Sequence, residues 1–114
     1  MWRVCHRLAQ VALGRDHTLA LDADERTVYA WGKSSEGQLG IGGKAFMRPP
    51  SISPALSAPV GGAVTVQELH ALGDCSAAIH KSPFSPQPGA VFVGSSCREL
   101  ETAFRSAFVA ANLK

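Results

Sequence analysis

The residues Gly37-Gln38-Leu39-Gly40-Ile41-Gly42-Gly43-Lys44 invite a search for phosphate chemistry. A phosphate-binding loop needs G-x-x-x-x-G-K-[ST], because backbone amides cradle the phosphates while the lysine and a hydroxyl serve the anion and its magnesium. Gln38 stands where the first glycine must be, and Ala45 where the hydroxyl must be. A dinucleotide fingerprint counted from Gly40 meets Ala45 at its third glycine position. A tight turn is the expected structure, and no cofactor is expected. Asp16 and His17 could be drawn as an orienting acid and a base. Neighbours on a strand point to opposite faces, however, and no G-x-S-x-G elbow presents a serine. His17 is therefore expected to be structural, and no catalytic residue is expected. Cys5-His6, and separately His70, Cys75 and His80, offer donor atoms without the close pairing that surrounds one ion, so no metal site is expected. Three cysteines, Cys5, Cys75 and Cys97, are an odd number with no C-x-x-C. That argues against a disulfide framework and favours a reducing compartment.

These residues are positioned by an internal repetition. One segment runs Val11-Ala12-Leu13-Gly14-Arg15-Asp16-His17-Thr18-Leu19-Ala20-Leu21 and continues at Val28-Tyr29-Ala30-Trp31-Gly32. A second runs Leu69-His70-Ala71-Leu72-Gly73-Asp74-Cys75-Ser76-Ala77-Ala78-Ile79 and continues at Ala90-Val91-Phe92-Val93-Gly94. Gly14 recurs as Gly73 after 59 positions, and Gly32 as Gly94 after 62. The second copy is one residue shorter after its glycine and longer in its hairpin, through Pro83-Phe84-Ser85-Pro86-Gln87-Pro88. Each copy predicts short strands separated by turns, with Val28 and Ala30 on one face and Tyr29 and Trp31 on the other. Polar residues 22–26 and 82–89 cap hairpins. Residues 48–62 carry four prolines and two glycines, so they predict a connector rather than a long strand or helix.

The end of the chain changes period. Ser96-Cys97-Arg98-Glu99 has the spacing of a capping box. Leu100, Phe104, Ala107, Phe108 and Ala111 then fall on one stripe of a helix from 97 to about 111, with Glu101 and Arg105 paired on its flank. Leu100, Phe104 and Phe108 are the candidate partner contacts of that helix. The fold class expected is all-β, about two units in residues 1–94 (about 3–48 and 60–94), followed by an amphipathic helix in 95–114.

The first unit resembles a repeat of the regulator of chromosome condensation family. It carries a G-x-x-H-[ST] element at Gly14, His17 and Thr18, then Y-x-W-G at Tyr29, Trp31 and Gly32. A G-Q-L-G turn follows at Gly37, Gln38, Leu39 and Gly40. The second unit resembles it weakly: Gly73 and Gly94 remain, Cys75 or Ser76 replaces the histidine, Val93 replaces the tryptophan, and no G-Q-L-G follows. The resemblance implies propeller blades, a bridging role for His17 and packing of Trp31 between blades.

Composition narrows the function. The 114-residue chain has 46% hydrophobic and 18% charged residues, a globular balance, and a formal charge of +2. A dense basic face for nucleic acid is excluded on that charge, as is an apolar stretch long enough to span a bilayer. The expected function is a non-catalytic interaction or scaffold module, part of a larger assembly, with other protein subunits or further copies of itself as partners. The alternative is a guanine-nucleotide exchange factor for a small GTPase, which family inheritance implies. An intracellular location is expected, in nucleus or cytoplasm; Arg3, Arg7 and Arg15, with no acid among the first fifteen residues, leave a mitochondrion open. Purified chain is expected to show no saturable binding of ATP or GTP at micromolar nucleotide. Binding abolished by Lys44→Ala would overturn the turn reading.

Overall fold

A computed structural model describes residues 8–42, 46–59, 63–84 and 89–112, with helix side chains described through residue 106. The N-terminal arginines Arg3 and Arg7, Cys5-His6, Lys44, Ala45, hairpin residues 85–88 and the side chain of Phe108 lie outside the described residues. Among the described residues seven strands form two antiparallel sheets, and one helix follows them. The first sheet has the order β1 (Leu8–Leu13), β2 (His17–Asp22), β3 (Val28–Lys33), β4 (Met47–Ile52). The second has the order β5 (Thr65–Leu72), β6 (Cys75–Lys81), β7 (Gly89–Gly94). The helix α1 (Arg98–Asn112) follows. The fold is all-β, two propeller-type blades with a terminal helix. Among the described residues no helix is long and apolar enough to cross a membrane.

Strand alternation decides which side chains meet. Leu19 pairs with Ala30 and Leu21 with Val28, so these four share one face of the first sheet. They are fully buried against Val66, Leu69 and Ala78 of the second sheet, with Leu39 and Leu56 from the loops closing the core. This is the junction face. Thr18, paired with Trp31, and Val11, paired with Ala20, lie on the opposite, outer face. The β2–β3 hairpin is held by Asp24, whose carboxylate accepts hydrogen bonds from the Arg26 and Thr27 amides and the Thr27 hydroxyl.

Residues 48–62 depart from the connector expected there, because their first part forms the edge strand β4. Arg48 pairs with Gly32 and Ser51 with Ala30, and the register shifts between them. Pro49 and Pro50 occupy that irregularity, where the ladder asks for no amide hydrogen. Edge position and bulge together accommodate two prolines that would break a central strand.

The C-terminal segment corrects two further expectations. Ser96 is not the cap: it takes a left-handed φ of 59°, and the carbonyl of Cys97 accepts the Glu101 amide. Cys97 thus occupies the N-cap position. Cys75 and Cys97 form a disulfide, against the reading of an odd cysteine count. The reason is tertiary: Cys75 opens β6 directly opposite Gly94, and three more residues carry the chain back over the sheet. Cys75, Ala77 and Ile79 point to the outer face of the second sheet, where all three are buried. Helix α1 is fastened to this face by the disulfide and by Phe104, whose ring meets Phe92 edge-on at 6.3 Å between centroids. Glu99 and Glu101 in its first turn suit the positive end of the helix dipole.

The disulfide closes a loop with a sequence separation of 22. Replacing it by Cys75→Ser with Cys97→Ser is expected to cost about 2–4 kcal/mol. Hydrogen exchange should show the loss of protection concentrated in α1 and β7. Unchanged protection of α1 would mean that the aromatic contact alone holds it.

Candidate functional site

The two sheets are joined by a buried polar chain. His17, 3% exposed, places Nε2 2.7 Å from the Ser76 hydroxyl oxygen across the junction. That hydroxyl donates its one hydrogen to the carbonyl of Gln38. It must therefore accept from the ring, which assigns the proton to Nε2 in the neutral imidazole. Burial pushes the His17 pKa down from 6.5. Asp74 and Asp16 oppose the shift by their charge, and a backbone hydrogen bond at Cys75 opposes it less. Ser76 and Gln38 are fully buried. A Cβ at Gly14 would collide with the imidazole, so glycine is needed there to let the ring lie flat over the turn.

Register settles which residue of the second copy corresponds to His17. The Lys33 amide after Gly32 donates to the Asp16 carbonyl, and the Ser95 amide after Gly94 donates to that of Asp74. Both glycines have nearly the same φ, 103° and 107°, and a Cβ on either would collide with that aspartate carbonyl. Gly32 pairs with His17 and Gly94 with Cys75. Cys75 is thus the counterpart of His17, and Ser76 is the counterpart of Thr18. His17 reaches from the first sheet to the second, while Cys75 reaches from the second sheet to α1. Helix α1 stands where a following blade would be received.

The remaining sequence motifs serve the same junction. Gly37, Gly40 and Gly42 all have positive φ. The amides of Gly37 and Gly40 donate to Ser34 and Gly37 carbonyls, so they point into the turn and not toward an anion. The Gln38 side-chain oxygen accepts the Glu36 amide, and Leu39 enters the core. Gly73 turns β5 into β6 with φ 58°, and its carbonyl accepts the Arg15 amide of the first sheet. Lys33 and Asp74 form an ion pair at 3.8 Å between the blades. Leu100 and Phe104 are half-buried on α1. Gln10 escaped sequence reasoning. Its amide nitrogen donates to the Gln67 carbonyl at 2.6 Å, and its oxygen accepts the Leu69 amide. It fits the register shift in β5 between Val66 and Glu68, a bulge that no residue type announces. Among the described residues, no three His, Cys, Asp or Glu side chains gather as a metal site.

Trp31 is not between the two blades. It lies half-buried on the outer face of the first sheet, with Tyr29. Around them Val11 is 56% exposed, Leu13 70%, Ile52 54% and Leu8 37%. Their pairings with Ala20, Thr18, Tyr29 and Asp22 put all four on this face. One outer face thus carries a helix, and the other presents apolar side chains to solvent.

His17→Ala is expected to lower stability by about 1–3 kcal/mol, because the buried Ser76 hydroxyl loses the ring N–H that it accepts. The sign of the pH effect follows from the depressed pKa. The unfolded chain takes up a proton at the ordinary value near 6.5 before the folded chain does. Stability from neutral His17 is therefore full above pH 6.5 and lost as pH falls from there toward the folded value. Urea midpoints measured across this window should fall in wild type and flatten in His17→Gln. Equal pH dependence in both would remove His17 as its source.

The family model for the regulator of chromosome condensation repeat matches residues 8–38. The Ultraviolet-B receptor UVR8 of Arabidopsis thaliana is 43% identical over 51 residues, 45% of this chain and 11% of that protein. The crystal structure of human WBSCR16 superimposes with a TM-score of 0.52 and 32% identity, covering 69% of this chain and 19% of that one. The chain therefore spans a small part of the length of either relative. Residues 8–38 are a repeat of the regulator of chromosome condensation family, and residues 65–94 form the second sheet packed beside it, whose Asp74–Gly94 contact repeats that of Asp16 and Gly32.

Proposed function

We propose that this chain is a non-catalytic protein–protein interaction module. The observation that carries this reading is the solvent-facing apolar patch of Leu8, Val11, Leu13 and Ile52 on the outer face of the first sheet. A rigid sheet holds these side chains in fixed relation, and a contiguous apolar surface of this kind marks an interface. The buried polar groups support the same reading, since His17, Ser76 and Gln38 are engaged with one another in joining the blades. The repeat family and the propeller-like fold favour a protein as the partner. A small GTPase is one partner class that the family likeness suggests, and exchange activity is the alternative function.

The test compares the full chain with Leu13→Glu, matched by circular dichroism, as immobilised baits in a native extract. Proteins retained by wild type and lost from the variant are expected. An identical retained set would sink the reading that this face binds. Release of a fluorescent guanine nucleotide from any captured GTPase is expected to proceed at its unassisted rate. Catalysed release would favour the exchange-factor alternative.

A further inference from the structure

We propose that Cys97 is a thiol-exchange site, and that its reduction by a dithiol of the C-x-x-C class unseats helix α1 from the second sheet. The proposal concerns the outer face of the second sheet and stands apart from the interaction reading of the first. Access to the two sulfurs is unequal. Cys75 is fully buried, whereas Cys97 is half-buried at the start of the helix. A thiolate attacks the sulfur it can reach, and the other sulfur leaves.

The reductant's thiolate bonds to Cys97 Sγ as the Cys75–Cys97 bond breaks. The electron pair departs on Cys75 Sγ, which takes a proton from water. The reductant's second thiolate then attacks its own sulfur in the mixed disulfide and releases Cys97, which is protonated in turn. Two electrons and two protons pass to the chain, and the reductant leaves as its disulfide. Both thiols find an acceptor. Cys75 Sγ lies 3.7 Å from the Ser76 carbonyl oxygen, and Cys97 Sγ lies 3.7 Å from that of Val93. Reduction therefore creates no S–H without an acceptor in reach.

What the bond holds is narrow. The β6–β7 ladder pairs from His80 and Gly89 to Cys75 and Gly94, so the hairpin closes the chain between the two cysteines without help from sulfur. The covalent link acts on the residues after Gly94 and on the helix behind them. Ser96, immediately before Cys97, has a left-handed φ of 59°. A residue with a side chain keeps such a conformation only where its surroundings fix it, and here the bond pins the very next residue. Opening the bond makes Ser96 a hinge. The edge-on pair of Phe92 and Phe104 remains, and such a pair contributes less than a disulfide. A free helix of 15 residues is marginal in water, so an unseated α1 also loses its internal hydrogen bonds.

The test uses the full chain with Cys5→Ser, which keeps the third thiol out of the exchange. The folded protein is reduced with dithiothreitol and reoxidised with oxidised glutathione, with differential alkylation and hydrogen exchange read at each stage. Protection of the α1 amides is expected to fall by about 30-fold or more on reduction, the loss of a disulfide's contribution, and to return on reoxidation. Strands β5 and β6 should keep their protection throughout. A C-x-x-C protein whose second cysteine is replaced by serine should be trapped on Cys97. Cys97→Ser, matched by circular dichroism, should show the reduced pattern in both buffers, and the wild-type comparison decides the matter without it. A bond that opens only as β6 loses protection, a helix equally protected in both states, or a trapped adduct on Cys75 would each overturn the proposal.

Discussion

The hydrogen bond between His17 and Ser76 depends on a constraint that shapes much of the chain. An imidazole buried between two sheets must be neutral, must find an acceptor for its Nε2 proton, and must have room to lie over its own turn. Ser76 supplies the acceptor only because its own hydrogen goes to the Gln38 carbonyl, so the turn from Gly37 to Gly40 has to reach the junction. Gly14 supplies the room. Gln10 performs the parallel service at the bulge of β5, satisfying one carbonyl and one amide that the ladder leaves unpaired. His17 Nε2, the Ser76 hydroxyl and the Gln10 amide are thereby paired, while His17 Nδ1 and Gln38 Nε2 stay buried without a partner, around an apolar core of Leu19, Leu21, Leu39, Leu56 and Leu69 that supplies most of the driving force.

The second sheet uses the same positions with different chemistry. Asp74 and Gly94 reproduce the contact of Asp16 and Gly32, down to the positive φ of the glycine. At the position of His17, however, stands Cys75, and its partner is Cys97 in the segment that begins the helix. A reversible side-chain hydrogen bond to a neighbouring sheet is replaced by a covalent bond to a helix. The two outer faces therefore differ in kind. One carries α1, and the other presents Val11, Leu13 and Ile52 to solvent among the described residues.

That asymmetry connects fold to function. Repeating blades bury their faces on one another, and a blade at the end of a stack either carries a cap or keeps an adhesive surface. Here the outer face of the second sheet carries α1, and that of the first exposes Val11, Leu13 and Ile52. Lys33 with Asp74, and Arg15 with Gly73, hold the blades in fixed relation, so the outer face is presented by a frame and not by a mobile loop.

The sequence by itself determined the strands, the hairpins and the repeat. Alternation of apolar residues, the glycines at 14, 32, 73 and 94, and the spacing to His17 and Trp31 are local signals, set by backbone geometry over a few residues. It determined the helix as well, through the period of Leu100 and Phe104, although Cys97 and not Ser96 proved to be its cap. What only the tertiary structure decided are the relations between distant residues. The count of cysteines could not show that the β6–β7 hairpin returns Cys97 to Cys75, and Pro49 and Pro50 concealed an edge strand that tolerates them at a register shift. Trp31 was legible as a packing residue, but the face it packs on depends on which side of the sheet the second blade takes. Gln10 was illegible for the same reason: a polar residue on a strand looks solvated until the bulge of another strand is laid across it.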